Sequence, residues 1–269
     1  MSYSAHVAGL SRLYHYERFV PEYLTDVLVH KRLHCSDPSS LNDPWDCRPW
    51  FAEAALESTS AIDGFIEYMF SFRPTVPTSQ DEITATKAKI RSDPEYRRQI
   101  LDQAARDFLK MLPGRWRIYC MTPHPDSILM WSHYADNHRG ICLEFAVSQQ
   151  VIGSAMEVQY LDEYPKWTPQ SWANSNTTEV LLTKSDAWKY ENEFRIIALA
   201  DGVKRPVKKH PLILRNGYLS LSERALLAVI AGCEADYGAI KALVNANAPV
   251  VKVKRAVRAP SMYRIQIED

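Results

Sequence analysis

Near position 190 the sequence reads Trp188-Lys-Tyr-Glu191-Asn-Glu193-Phe-Arg195, with two carboxylates and a guanidinium at alternate positions. On an extended chain, alternate side chains share a face. The spacing therefore predicts Glu191, Glu193 and Arg195 on one side and Tyr190, Asn192, Phe194 and Ile196 on the other. Carboxylates at i and i+2 lie roughly 6–7 Å apart, close enough to raise one pKa or to grip one ligand together. The plainer alternative is a solvated strand end with Arg195 paired to a glutamate elsewhere.

Three further segments carry polar chemistry. In Met130-Trp-Ser-His133-Tyr134-Ala-Asp-Asn-His138-Arg-Gly140, helical spacing puts Trp131 on a face with Ile128 and Ala135, and Tyr134 on a face with His138. Histidines at i and i+5 are poor metal ligands and no H-E-x-x-H is present, so no metal is expected here. A core Trp131 and a backbone-bonded His133 form the structural alternative. In Leu41-Asn42-Asp43-Pro44-Trp45-Asp46, Asn42 or Asp43 closes an Asx-turn or holds a ligand ribose or a cation. In Leu13-Tyr14-His15-Tyr16-Glu17-Arg18, alternation sets Tyr14, Tyr16 and Arg18 opposite His15 and Glu17. Aromatic side chains there either stack on a base or pack a core.

Several chemistries lack their motifs. There is no G-x-x-x-x-G-K-[ST] loop, no G-x-G-x-x-G and no G-x-S-x-G elbow, so ATP hydrolysis, Rossmann redox chemistry and serine hydrolysis find no support. Lys+Arg and Asp+Glu balance at 32 each, which leaves no global basic field for nucleic acid. The basic stretch Lys204–His210 and the later Lys252, Lys254, Arg255 and Arg258 either touch phosphates or, the plainer reading, form a solvated loop and a solvated strand face. Five scattered cysteines without C-x-x-C pairs argue against a disulfide framework or a structural zinc. No apolar run reaches the roughly 18 residues of a membrane span, and no signal peptide is visible, so a cytoplasmic protein with no membrane partner is expected.

The elements that position these groups alternate irregularly. Strands are predicted over Ser11–Phe19, Arg32–Ser36, Trp116–Met121, Gly140–Val147, Met156–Leu161 (as a neighbour of the preceding strand), Tyr190–Ala200, Pro211–Leu221, Val229–Gly232, Val250–Val257 and Tyr263–Ile267. Helices are predicted from Pro21 to Lys31, from Asp126 or Ser127 to Asn137, over Thr178–Lys189 and over Tyr237–Val244. Residues 50–112 read as a helical insertion, with a break over Arg73–Gln80. Strands that follow one another without regular helical crossovers point to a single α+β domain over 1–269, with mostly antiparallel split or curved sheets.

Taken in order, Leu13-Tyr-His-Tyr16, Leu41-Asn-Asp-Pro-Trp45, Tyr119-Cys-Met-Thr122, Met130-Trp-Ser-His-Tyr-Ala135, His138-Arg-Gly-Ile-Cys-Leu-Glu-Phe145 and Trp188-Lys-Tyr-Glu-Asn-Glu-Phe-Arg195 resemble the bacterial domain-of-unknown-function family numbered 2971. Its members often look like accessory genes of mobile elements, so the resemblance implies a phage-defence or toxin-type role. The Glu191-x-Glu193 element also resembles the Glu-x-Glu element of ADP-ribosyltransferases, which implies a split α+β architecture of that type with NAD as cofactor. By position, His15 or Arg18 matches that family's first-strand element and Glu193 its catalytic glutamate. No clear Ser-Thr-Ser element follows the second strand, where Ser36, Ser39 and Ser40 stand.

On that resemblance Glu193 grips the ribose, Glu191 orients the acceptor and His133 joins the catalytic set. Tyr14, Tyr134 and Trp131 sandwich nicotinamide. His15 or Arg18 holds the adenosine side, and Asn42, Asp43 and Arg195 complete the nucleotide-binding set. Glu193→Gln is then expected to abolish NAD turnover without unfolding. The implied partner is a small nucleotide, with a protein or nucleic-acid acceptor left open. A Mg²⁺-dependent nuclease built on Asp43, Asp46, Glu144 and Glu193 is one rival reading. A non-catalytic nucleotide- or protein-binding module is another.

Overall fold

The computed structural model describes residues 3–72, 79–165, 178–203 and 212–269. The predicted break after residue 72 and the basic stretch from residue 204 lie outside or largely outside them. The chain is α+β, and its residues gather into two compact units. Met1–Asp37, Trp116–Gln159 and Ala187–Asp269 form the first; Pro38–Arg115 and Tyr160–Asp186 form the second.

In the first unit a five-stranded sheet has the order β1 (Arg12–Glu17), β4 (Ile141–Ala146), β10 (Leu226–Ala231), β11 (Lys252–Arg258), β12 (Ile265–Glu268). All neighbours in it are antiparallel except β10 and β11, which are parallel. Parallel strands need a crossover, and the helix Tyr237–Asn247 supplies it, capped by Asp236 accepting from the Ala239 amide. A three-stranded antiparallel sheet has the order β3 (Trp116–Met121), β8 (Phe194–Leu199), β5 (Met156–Glu157). Tyr14 of β1 bridges to Thr122 just after β3, so β1 joins the two sheets. A short pair, β2 (Arg32–His34) with β9 (Tyr218–Ser220), completes the unit.

The alternation of β1 is as the sequence dictates. Leu13 and His15 face one way, and Leu13 enters an apolar core with Phe145, Tyr119, Phe194 and Val229 from both sheets. The helix α1 (Pro21–Leu28), opened by Pro21 at its first turn, buries Leu24, Val27 and Leu28 in that core. Tyr16 faces the other way, into a second cluster with Met130, Trp131, Cys142 and Ile230. The helix α5 (Ile128–Tyr134) delivers Met130 and Trp131 to it, and the Ser127 hydroxyl caps α5 by accepting from the Met130 amide. Because both faces of β4 are covered, every residue of that strand is buried, and its hydrophobic alternation has no solvent side.

Several expectations give way, among them the strand over Pro211–Leu221, which shortens to Tyr218–Ser220, and the helix through Asn137, which ends at Tyr134. Met156–Glu157 pairs with β8 and not with β4. Residues 180–191 are not an α-helix but a 3₁₀ turn, a short strand β7 (Thr183–Ser185) and a second 3₁₀ turn, Asp186–Glu191. The strand expected from Tyr190 starts only at Phe194. The reason is local: Asn192 adopts φ 45°, a left-handed conformation that asparagine tolerates better than most residues and that breaks period-two alternation.

In the second unit α2 (Thr59–Phe72), α3 (Gln80–Ser92) and α4 (Pro94–Arg115) carry most of the structure. A capping box between Ser79 and Glu82 starts α3. Helix α4 buries Leu101, Ala104, Phe108 and Leu112 at helical spacing. Its stretch thus contains the helices read from residues 50–112, and it also takes in a buried ion pair between Lys184 and Asp46 at 3.8 Å.

Candidate functional site

The 3₁₀ turn Asp186–Glu191 and the entry to β8 place the acidic pair. Arg195 is completely buried and donates from Nε to Glu193 Oε1 at 2.7 Å and from Nη2 to Glu193 Oε2 at 2.8 Å. This bidentate pair joins two residues of one extended segment, so the guanidinium and one carboxylate of the predicted face meet each other. Glu193 is 4 % exposed, and both its oxygens are engaged by Arg195. Both oxygens of this carboxylate are thus committed to one guanidinium, the bidentate geometry of a strong charge-assisted pair.

Glu191 is separate. It is 2 % exposed, and its Oε1 accepts a 2.6 Å hydrogen bond from the Tyr134 hydroxyl at the end of α5. The short O–H···O⁻ distance belongs to the strong, charge-assisted class. A chain of aromatic rings runs from Tyr134: the His133 ring lies 6.3 Å from it and 6.4 Å from Trp188, and Trp188 lies 6.0 Å from Tyr190, centroid to centroid. Next to Glu191, the Asn192 amide donates to His124 Nε2 at 3.2 Å, and the His124 carbonyl accepts from the Tyr16 hydroxyl at 2.7 Å. The turn before β8 is thereby tied to β1 and to the loop after β3.

On the other face of β1, His15 stacks on Tyr119 with ring centroids 4.1 Å apart. His15 Nδ1 lies 2.7 Å from the Cys120 carbonyl, which can only accept, so Nδ1 carries the proton and Nε2 is the free acceptor. Burial pushes the His15 pKa down to about 4. Glu17 Oε2 lies 3.9 Å from His15 Nε2, while Glu17 Oε1 is buried without a partner. Burial pushes this carboxyl up to about 7. His15 is thus neutral at pH 7, whereas Glu17 is about half ionised there and protonated below it. Tyr14 faces the opposite way, opposite Glu144, and burial with the nearby Glu144 charge raises its hydroxyl to about 12. Glu144 itself is held by Arg12 at 3.1 Å and Lys254 at 3.0 Å.

Glu191, His133 and Tyr134 come together, and Glu193 and Arg195 pair beside them in sequence. Trp131 is wholly buried, with its Nε1 donating to the Pro125 carbonyl, so its ring serves as core and offers no face to a ligand. His15 faces away from Tyr14, and Arg18 is exposed at the end of β1. Asn42 and Asp43 lie in the second unit, where Asp43 Oδ1 accepts from the Trp45 amide and closes the expected Asx-turn. Asp43 and Asp46 belong to one unit, and Glu144 and Glu193 to the other. Among the described residues, no three His, Cys, Asp or Glu side chains gather as a metal-binding set. Also among them, no helix is long and apolar enough to cross a membrane. Sequence reasoning passed over Glu17, Tyr119, His124 and Asn192. The His15–Glu17 alternation was the available signal for the first, and His124 gave none.

Residues 130–196 match the model of a family described as "Protein of unknown function (DUF2971)". That stretch contains most of α5, all of β4 and the turn into β8, hence His133, Tyr134, Glu191, Glu193 and Arg195, and it supports the resemblance over this part of the chain. No curated protein and no solved structure matches the chain.

Proposed function

We propose that the first unit binds NAD and cleaves its nicotinamide–ribose bond, as an ADP-ribosyltransferase or NAD glycohydrolase with Glu191 as the working carboxylate. In that reaction the C1′–N bond breaks and its electron pair leaves with nicotinamide, which becomes neutral. Positive charge builds on the ribose carbon, where water or an acceptor hydroxyl bonds and gives up a proton. A fixed carboxylate beside the ribose stabilises this oxocarbenium-like state, and preorganised charge is usually the largest catalytic contribution. Glu193 supports the site through Arg195 in place of gripping the sugar.

What supports this reading is the Tyr134–Glu191 hydrogen bond of 2.6 Å, with the His133 ring 6.3 Å from Tyr134 and 6.4 Å from Trp188. Tyr134 orients the carboxylate, and the aromatic edges suit a planar nicotinamide. Incubating the purified chain with NAD and quantifying free nicotinamide tests the proposal. Release is the expected result. Thermal stabilisation by NAD without release would favour a binding module; neither release nor stabilisation would remove NAD altogether.

A further inference from the structure

At the β11–β12 hairpin the first unit holds a cavity of about 620 Å³ that shares no residue with the site described above. Its volume lies within the roughly 300–1,000 Å³ of small-molecule sites. Ile128, Met262 and Tyr263 line it, and all three are exposed although large and apolar, with Tyr263 projecting fully from the hairpin. Grouped apolar exposure of this kind marks a binding surface more often than chance solvent contact.

Its polar groups are few and of one balance. Arg258, Arg264 and Glu234 line the cavity. Arg258 lies 3.6 Å from Glu234, but both side chains are mostly exposed, so that pair is weak and one positive charge is in excess. His138 also lines the cavity, and its Nδ1 is buried without a partner. Burial, with the nearby Arg258 charge, lowers its pKa and so favours the neutral, hydrogen-bonding ring. Orphaned buried polar atoms are scarce in folded proteins and call for an explanation such as water or a ligand.

The backbone fixes this histidine in place. Asp136, Asn137 and His138 are three consecutive residues with positive φ, of 47°, 52° and 68°. The His138 carbonyl accepts from the Glu234 amide, and Gly232 packs so close that an added Cβ would sit 2.1 Å from that carbonyl oxygen. Strained runs persist where surrounding structure over-determines them, and such places cluster at functional sites.

We infer that this cavity binds a small molecule with an apolar body and a single anionic group. The body lies against Ile128, Met262 and Tyr263, the anion meets Arg258 and Arg264, and His138 supplies a hydrogen bond. The probe is 8-anilinonaphthalene-1-sulfonate, compared with N-phenyl-1-naphthylamine, which keeps the aromatic body and lacks the charge. On the full chain the sulfonate gives a saturable fluorescence rise at one equivalent, and the neutral analogue binds roughly ten-fold more weakly, the loss expected for one charge-assisted contact. Arg258→Glu and Met262→Asp alter exposed side chains, so both should keep the wild-type melting temperature and weaken sulfonate binding by about ten-fold or more. Non-saturable binding, equal binding of the neutral analogue, or unchanged affinity in a variant of unaltered melting temperature would overturn the inference. Nicotinamide release from NAD is read separately, so neither result depends on the other.

Discussion

Arg195 and Glu193, two residues apart on one extended segment, close a bidentate ion pair in which the guanidinium is 0 % exposed. Charged groups leave water at a cost of several kcal/mol each, and their mutual geometry offsets that cost only while both are present. Glu193→Ala is therefore expected to lower unfolding free energy by about 3 kcal/mol, measured by denaturant titration of the purified chain. Glu193→Gln should destabilise in the same direction. The resemblance to ADP-ribosyltransferases implies that this variant stays folded, and a partial loss of stability is compatible with that. A loss of less than about 0.5 kcal/mol would show that the pair contributes nothing.

The Tyr134 hydroxyl is the donor to Glu191 Oε1. Removing it with Tyr134→Phe keeps the ring and deletes one charge-assisted hydrogen bond, so stability should fall by about 1–2 kcal/mol. NAD turnover should fall with it, because the carboxylate loses its orienting partner. Stability and nicotinamide release measured on the same preparation separate the two effects.

Stability should depend on pH through His15 and Glu17, with opposite signs. Glu17 ionises at about 7 in the folded chain against an ordinary 4.5, so the folded state holds the extra proton between those values and stability falls as pH rises through that window. His15 is held down at about 4 against 6.5, so the unfolded state holds the extra proton there and stability falls as pH drops below 6.5. The two oppose each other between about 4.5 and 6.5. Glu17→Gln removes one arm: the variant should gain on the wild type by a few kcal/mol at most at pH 8, and should then lose stability steadily from pH 6.5 to 4. Denaturant midpoints at half-unit pH steps check this.

Gly232 has no room for a side chain, since a Cβ would meet the His138 carbonyl oxygen at 2.1 Å and the Gly140 oxygen at 3.1 Å. Both neighbours are backbone, which cannot swing aside. Gly232→Ala is expected to cost about 3 kcal/mol or more, whereas Gly114→Ala, with nothing within 4 Å, should be near neutral. Thermal melts of the two variants side by side make the comparison.

Much of the first unit was legible in the sequence because local rules and global packing agree there. The two faces of β1, a cap of α5 at Asp126 or Ser127 and the Pro21 start of α1 follow from periodicity and capping chemistry. The acidic site was legible as a set of residues and not as a geometry. Its strand spacing failed at Asn192, where one left-handed residue turns Glu191 out of alternation with Glu193, and no pattern in the residue types announces that angle. Trp131 looked as suitable for a ligand as Tyr134; only the packing of α5 on β4 and β10 decides that one is core and the other reaches Glu191. The assembly of the second unit from 38–115 and 160–186 is equally non-local, and spacing arguments do not reach it.

Release of nicotinamide from NAD by the wild-type chain and by Glu191→Gln, both checked for the same melting temperature, bears most directly on the proposed chemistry. Wild type should turn NAD over, and the variant should be slower by roughly 10²-fold or more, as expected when a group aimed at developing charge is neutralised. A folded Glu191→Gln chain that releases nicotinamide at the wild-type rate would contradict it.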